Sequence, residues 1–124
     1  MKVLIVDDSK AMRMIVRNTL KQAGFSGFDT IEAGNGIEGL AAIEKENPDV
    51  VLSDWNMPEM NGIEMLEKLQ EAKNRVQFGF VSSESSPEIH KRATDANAKF
   101  FITKPFTPEK FESALAPIFA AATA

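Results

Sequence analysis

The chain has 124 residues, of which 44% are hydrophobic and 26% charged, the size and balance of one folded domain rather than a disordered tract. With no cysteine it has neither disulfides nor thiolate metal sites, and no apolar run has the length of a membrane span or the pattern of a signal peptide. The net charge of −4 sits in one half: residues 1–62 carry six Lys/Arg against ten Asp/Glu, residues 63–124 eight of each, so neither half has the basic excess of a nucleic-acid-binding domain.

Five β-type runs alternate with segments of helical period. The first, Val3–Val6, leads straight into Asp7 and Asp8. Ser9 is the expected N-cap of a helix striped by Met12, Ile15, Val16, Leu20 and Ala23, with Gly24 as its stop. A second strand, Phe28–Ala33, precedes a helix marked by Ile37, Leu40, Ala41 and Ile43 that ends before Pro48. The third strand, Val50–Ser53, delivers Asp54, and Met65, Leu66 and Leu69 mark a helix opening near Gly62. After the fourth strand, Val76–Ser82, Ser86-Pro87 reads as N-cap and first position of a helix carrying Ile89, Ala93 and Ala96, closed by Asn97 in the left-handed region. Phe100–Thr103 is the fifth strand. Thr107-Pro108 starts the last helix, with Phe111, Leu115, Ile118 and Phe119 on one side. Pro117 removes its bond to the Ser113 carbonyl, which predicts a kink or an early end and a frayed Ala-rich tail after Phe119.

Five βα units of about 25 residues imply an α/β fold, a parallel sheet with helices on both faces. No linker interrupts residues 1–124, so a single domain with no output domain is expected. Ligands of such sheets bind outside the carboxyl ends of the strands. Those ends carry Asp7 and Asp8, Asp54, Ser82 and Ser83, and Lys104; only the second strand, ending in Ala33 and Gly34, offers no chemistry. Any one polar strand end is unremarkable, but Asp54 and Lys104 follow runs apolar enough to be buried. Adjacent carboxylates repel each other and resist desolvation. Three against one lysine leave an acidic hole suited to a hard divalent cation, and Mg²⁺ takes one or two carboxylates, waters and a phosphate. A metal, an ammonium and a hydroxyl around one spare carboxylate are the equipment of phosphoryl transfer.

The stretches "LIVDDS", "VVLSDWNMPEMNG", "FVSSE" and "FITKPFT", in this order and spacing, resemble the receiver domain of two-component response regulators, from Lys2 to about Phe119. Among receivers the chain looks most like the stand-alone chemotaxis response regulators. The resemblance implies a doubly wound, flavodoxin-like (βα)5 sandwich with strand order 2-1-3-4-5. It makes Asp54 the phospho-acceptor for a histidine kinase. Asp8 and Asp54 would bind Mg²⁺ directly, Asp7 through water, and the Asn56 backbone carbonyl would complete the protein ligands. Ser82 and Lys104 would hold the phosphoryl group, with a cis bond between Lys104 and Pro105. Phe101 would be the aromatic switch that turns inward as Ser82 moves, and Asn56 and Glu84 would tune dephosphorylation. The implied partners are a kinase docking on Met12, Met14 and Ile15, a flagellar motor switch protein or other phospho-dependent partner, and a phosphatase. A cytoplasmic monomer that catalyses only its own phosphorylation and dephosphorylation is the expectation.

Departures from that pattern are informative. Chemotaxis regulators usually carry Tyr at the switch, whereas Phe101 has no hydroxyl to offer a partner. Asn61 stands where an acidic residue is common and reads as turn chemistry. "GNGIEG", Gly34 to Gly39, matches a dinucleotide fingerprint, yet it follows the second strand in a chain too short for two nucleotide-binding halves, so a loop and helix start is the better reading. His90, the single histidine, reads as an exposed helical position, Trp55 as a residue bordering the site, and Met57, Met60 and Met65 as packing. Three alternatives stay open. Two keep the same fold and chemistry, a phosphate sink and a non-chemotaxis phosphorelay intermediate, and the third is an Mg²⁺-dependent aspartyl-phosphate phosphatase, for which the adjacent Asp7-Asp8 pair is the wrong spacing.

Overall fold

The computed structural model describes residues 1–123. The elements are β1 (Lys2–Val6), α1 (Lys10–Gln22), β2 (Asp29–Ala33), α2 (Gly36–Glu46), β3 (Val50–Ser53), α3 (Gly62–Glu71), β4 (Gln77–Ser82), α4 (Pro87–Asp95), β5 (Phe101–Thr103) and α5 (Pro108–Thr123). The strands form one parallel sheet in the order β2-β1-β3-β4-β5. Among the described residues, no helix is long and apolar enough to cross a membrane.

Strand alternation divides the core in two. Val3, Ile5, Val50, Leu52, Val81 and Ile102 face α1 and α5, where Val16, Leu20, Phe111 and Leu115 meet them. Leu4, Val6, Val51, Phe78 and Phe80 face the other side, against Ile43, Leu66, Leu69 and Ala93 from α2, α3 and α4. Both faces of the central strands are therefore dry, which is why their sequences read as unbroken apolar runs.

Helix starts follow local hydrogen-bond chemistry. Ser9 accepts from the Met12 amide and Ser86 from the Ile89 amide, each as expected of an N-cap. Asn35 accepts from Glu38 N at 2.9 Å, so the glycine-rich stretch is a capped helix start. Asn61 does more than turn the chain: with Glu64 it forms a reciprocal capping box at the head of α3. Asn97 adopts the left-handed conformation at φ 69°, as its place after α4 predicts.

Ile15, on the apolar stripe of α1, is exposed at 48%, as a docking contact must be, while Thr19 is buried, its hydroxyl satisfied by the Ile15 carbonyl at 2.7 Å. Two sequence expectations need correction. α5 does not end early at Pro117, and the alanine-rich segment is helical to Thr123, while Ala124 lies outside the described residues. Leu115 and Phe119 are buried on either side of Pro117 and anchor the helix across it. Ser113, whose carbonyl loses its donor, is exposed, so water can replace the missing bond.

Candidate functional site

Register brings the functional strand ends level. Val6 of β1 pairs with Ser53 of β3, and the Asp54 amide donates to the Val6 carbonyl at 2.8 Å, so the next residues out are Asp7 and Asp54. Across β4 and β5, Ser82 pairs with Thr103, and the Lys104 amide donates to the Ser82 carbonyl at 2.9 Å. Asp7 is buried, Asp54 half-buried and Asp8 exposed, and one oxygen from each lies within 4.8 Å of the others.

Each of the two inner carboxylates has one oxygen tied to backbone. Asp7 Oδ1 accepts from Ser9 N at 2.9 Å and Asp54 Oδ1 from Trp55 N at 2.7 Å. Their Oδ2 atoms face one cation, the Lys104 ammonium, at 3.3 and 3.6 Å. Burial raises the Asp54 pKa above its ordinary value of 3.8, and the neighbouring Asp7 charge adds to this. Lys104, the Trp55 amide and a hydrogen bond from Ser82 oppose the rise without cancelling it. An all-oxygen cluster of three carboxylates that one ammonium leaves under-neutralised fits a hard divalent cation.

The Ser82 hydroxyl, fully buried, accepts from the Glu84 amide at 3.1 Å and stands near enough to Asp54 to temper the rise of its pKa. At the mouth, Asn56 Nδ2 donates to Glu84 Oε1 at 3.0 Å. The Lys104–Pro105 bond is cis. Thus Asp7, Asp8, Asp54, Ser82, Lys104, Asn56 and Glu84 meet at one edge of the sheet.

Comparison with known proteins agrees with this geometry. Residues 3–116 match the response regulator receiver domain. The chain belongs to that family. It is 38% identical over 118 residues to the chemotaxis protein CheY homolog of Campylobacter jejuni, a match covering 93% of this chain and 89% of that protein. To chemotaxis protein CheY1 of Helicobacter pylori it is 36% identical over 119 residues, 93% of this chain and 94% of that one. The structure of chemotaxis protein CheY4 of Vibrio cholerae superposes with a TM-score of 0.82 at 34% identity, covering 94% of this chain and 97% of the other.

The receiver domain contains contacts that reading its sequence did not anticipate. Phe101 is half-buried, its ring centroid 4.1 Å from that of His90, 5.8 Å from Phe80 and 6.4 Å from Trp55. His90 is exposed as expected, yet it stacks on Phe101, an α4–β5 contact without a local signature. Trp55 is a core residue, 4.8 Å from Phe80, and its amide rather than its ring serves Asp54. Met57, Met60 and Met65 pack in the same cluster, as expected.

Two supporting residues also escaped notice. Arg13 of α1 donates to the Asp7 carbonyl and pairs with Glu32 at 2.8 Å, fixing the loop after β1. Gly62 packs so closely that a Cβ there would overlap the Asp54 carbonyl oxygen, and its amide donates to the Trp55 carbonyl at 2.9 Å. A glycine four residues after a proline and one after an N-cap gives the only sequence hint, and it is the hint of a turn.

Proposed function

We propose that the chain is a phosphorylation-activated response regulator of chemotaxis signalling, working in the cytoplasm. The observation that carries the reading is the pairing of Asp54, one oxygen anchored and the other facing Lys104, with a second buried carboxylate beside it. Similarity at 36–38% identity to proteins named for chemotaxis supports the pathway.

In this reading Asp54 Oδ2 attacks the phosphorus of a kinase phosphohistidine. An O–P bond forms as the P–N bond breaks, and the imidazole leaves with the electron pair. Asp7, Asp8 and Asp54, with the Asn56 backbone carbonyl, would hold Mg²⁺, which when bound neutralises phosphoryl oxygens. Lys104 shifts from the bare carboxylates to the new phosphoryl group. The Ser82 hydroxyl moves to donate to a phosphoryl oxygen. Phe101 then turns toward the space Ser82 leaves, and the surface of α4, β5 and α5 changes for its partner. With no hydroxyl on Phe101, that partner recognises shape and apolar surface, whether it is a flagellar motor switch protein or another phospho-dependent protein. The Asn56–Glu84 pair stands across the mouth and would set the access of hydrolytic water, alone or with a phosphatase.

Acetyl phosphate with Mg²⁺ is expected to add one phosphate, seen by intact mass, and Asp54→Asn to abolish it. Labelling that survives this substitution would overturn the assignment. Capture of a protein partner only in the presence of beryllofluoride would identify an effector.

A further inference from the structure

The amino-terminal end of the sheet holds a second concavity of opposite charge. α3 closes on Lys73, left-handed at φ 57°, with Asn74 N donating to the Leu69 carbonyl at 2.9 Å. α4 closes on Asn97 in the same conformation, with Ala98 N donating to the Ala93 carbonyl at 2.9 Å. These two turns and the start of β4 enclose a cleft of about 510 Å³, within the range of small-molecule sites. Leu66 and Leu69 lie nearly buried in its floor, Val76 is its partly exposed apolar residue, Gln70 and Gln77 stand beside it, and its charged residues are Lys73, Arg75 and Lys99; no carboxylate lines it.

The cations are uncompensated. Among the described residues none of the three enters an ion pair, and Lys99 reaches only the Asn97 side-chain oxygen, at 3.2 Å. Pairing is used on adjacent surface, where Arg92 meets Glu67 and Lys91 meets Asp95. A lysine at a helix C-terminus is favoured by the dipole, which accounts for Lys73 but not for Arg75 in the loop beyond. Lys73 also occupies a left-handed position that glycine or asparagine usually takes, a local strain that places its side chain at the cleft. Asn74 Oδ1 accepts from Val76 N and Asn97 Oδ1 from Lys99, which leaves both amide NH₂ groups available to donate.

We propose that this cleft binds a nucleotide, with its phosphates among Lys73, Arg75 and Lys99 and its base against Val76 and the side-chain amides of Gln70 and Gln77. An inorganic polyphosphate would make no use of Val76 or of amides placed to read a base. A nucleic acid strand would need a basic track, and the acidic residues Glu67, Glu71 and Asp95 bound the neighbouring surface. The proposal is independent of what Asp54 does.

The test is a titration of the ¹⁵N-labelled full chain, without Mg²⁺, with ATP, tripolyphosphate and adenosine. Saturable amide shifts are expected at Lys73–Gln77 and Asn97–Lys99, with ATP binding at least about fivefold more tightly than tripolyphosphate and adenosine not binding. Arg75→Glu combined with Lys99→Glu, both at exposed positions, should weaken ATP by about tenfold or more. Labelling of Asp54 by acetyl phosphate should be unchanged in that variant. Shifts centred on Lys104 or scattered over other lysines would overturn the proposal. So would equal affinity for tripolyphosphate, unchanged affinity in the double variant, or tighter binding of a short oligonucleotide than of ATP.

Discussion

The two ends of this sheet handle charge in opposite ways. At the carboxyl end, Asp7 and Asp54 are drawn out of water and held by backbone amides and one ammonium, with an affinity for protons raised in Asp54. At the amino end, Lys73, Arg75 and Lys99 are exposed and unpaired, their repulsion screened by solvent. The comparison teaches where reactivity resides. Concentrated, partly buried charge of one sign stores free energy that a counter-ion or a phosphoryl group can release. Dispersed exposed charge sets affinity for a ligand without loading the fold.

Substitutions at the two ends should therefore differ sharply in their effect on stability. The largest effect is expected from Lys104→Met, which strands two inner carboxylates. It should cost about 3 kcal/mol in urea unfolding without metal, with part of the loss regained on adding Mg²⁺. A loss under half of this, unaffected by Mg²⁺, would erase the contrast. Gly62→Ala, which forces a Cβ onto the Asp54 carbonyl, should cost about 2 kcal/mol. Gly27→Ala, near the amino end with φ 84° and open space around it, should cost about 1 kcal/mol. Asn61→Ala, which removes the capping box at the head of α3, should also cost about 1 kcal/mol.

Dependence on pH sharpens the comparison further. Because the Asp54 carboxyl titrates above 3.8 in the folded chain, the native state binds more protons than the unfolded one between 3.8 and the native value. The stability contributed by this group falls as pH rises through that window, and above it the charged carboxylate exerts its full penalty. Asp54→Asn should remove this slope and raise the urea midpoint at neutral pH. A lowered midpoint would mean that Lys104 compensates the carboxylate completely. The smallest effect is expected from Lys73→Ala and Arg75→Ala, each within about 0.5 kcal/mol of the parent.

Much of the site was legible because its logic is one-dimensional. Apolar runs of strand length locate the carboxyl ends, and the residues just beyond Val6, Ser53, Val81 and Thr103 are the acids, hydroxyl and lysine that converge. Helix caps were legible for the same reason, since Ser9 and Ser86 act on amides three residues away. What escaped involves partners distant in the chain. The His90–Phe101 stack and the Asn56–Glu84 bond depend on how separate elements dock, and no local pattern encodes them. Thr19 gave no signal of its burial, because a hydroxyl at helical spacing is read as polar surface, whereas here it is satisfied within α1. Pro117 misled because propensity ignores the anchors on either side of it.

The strand register carries one more consequence. Since Val6 lies opposite Ser53 and Ser82 opposite Thr103, the acidic pocket has no existence in any fragment or half-folded species. Displacing one strand by a single residue would turn its carboxylate or lysine to the opposite face of the sheet. Calorimetric detection of a bound divalent ion would thus serve as a tally of intact strand pairings, and newly made chain should acquire signalling competence all at once, at the last docking event.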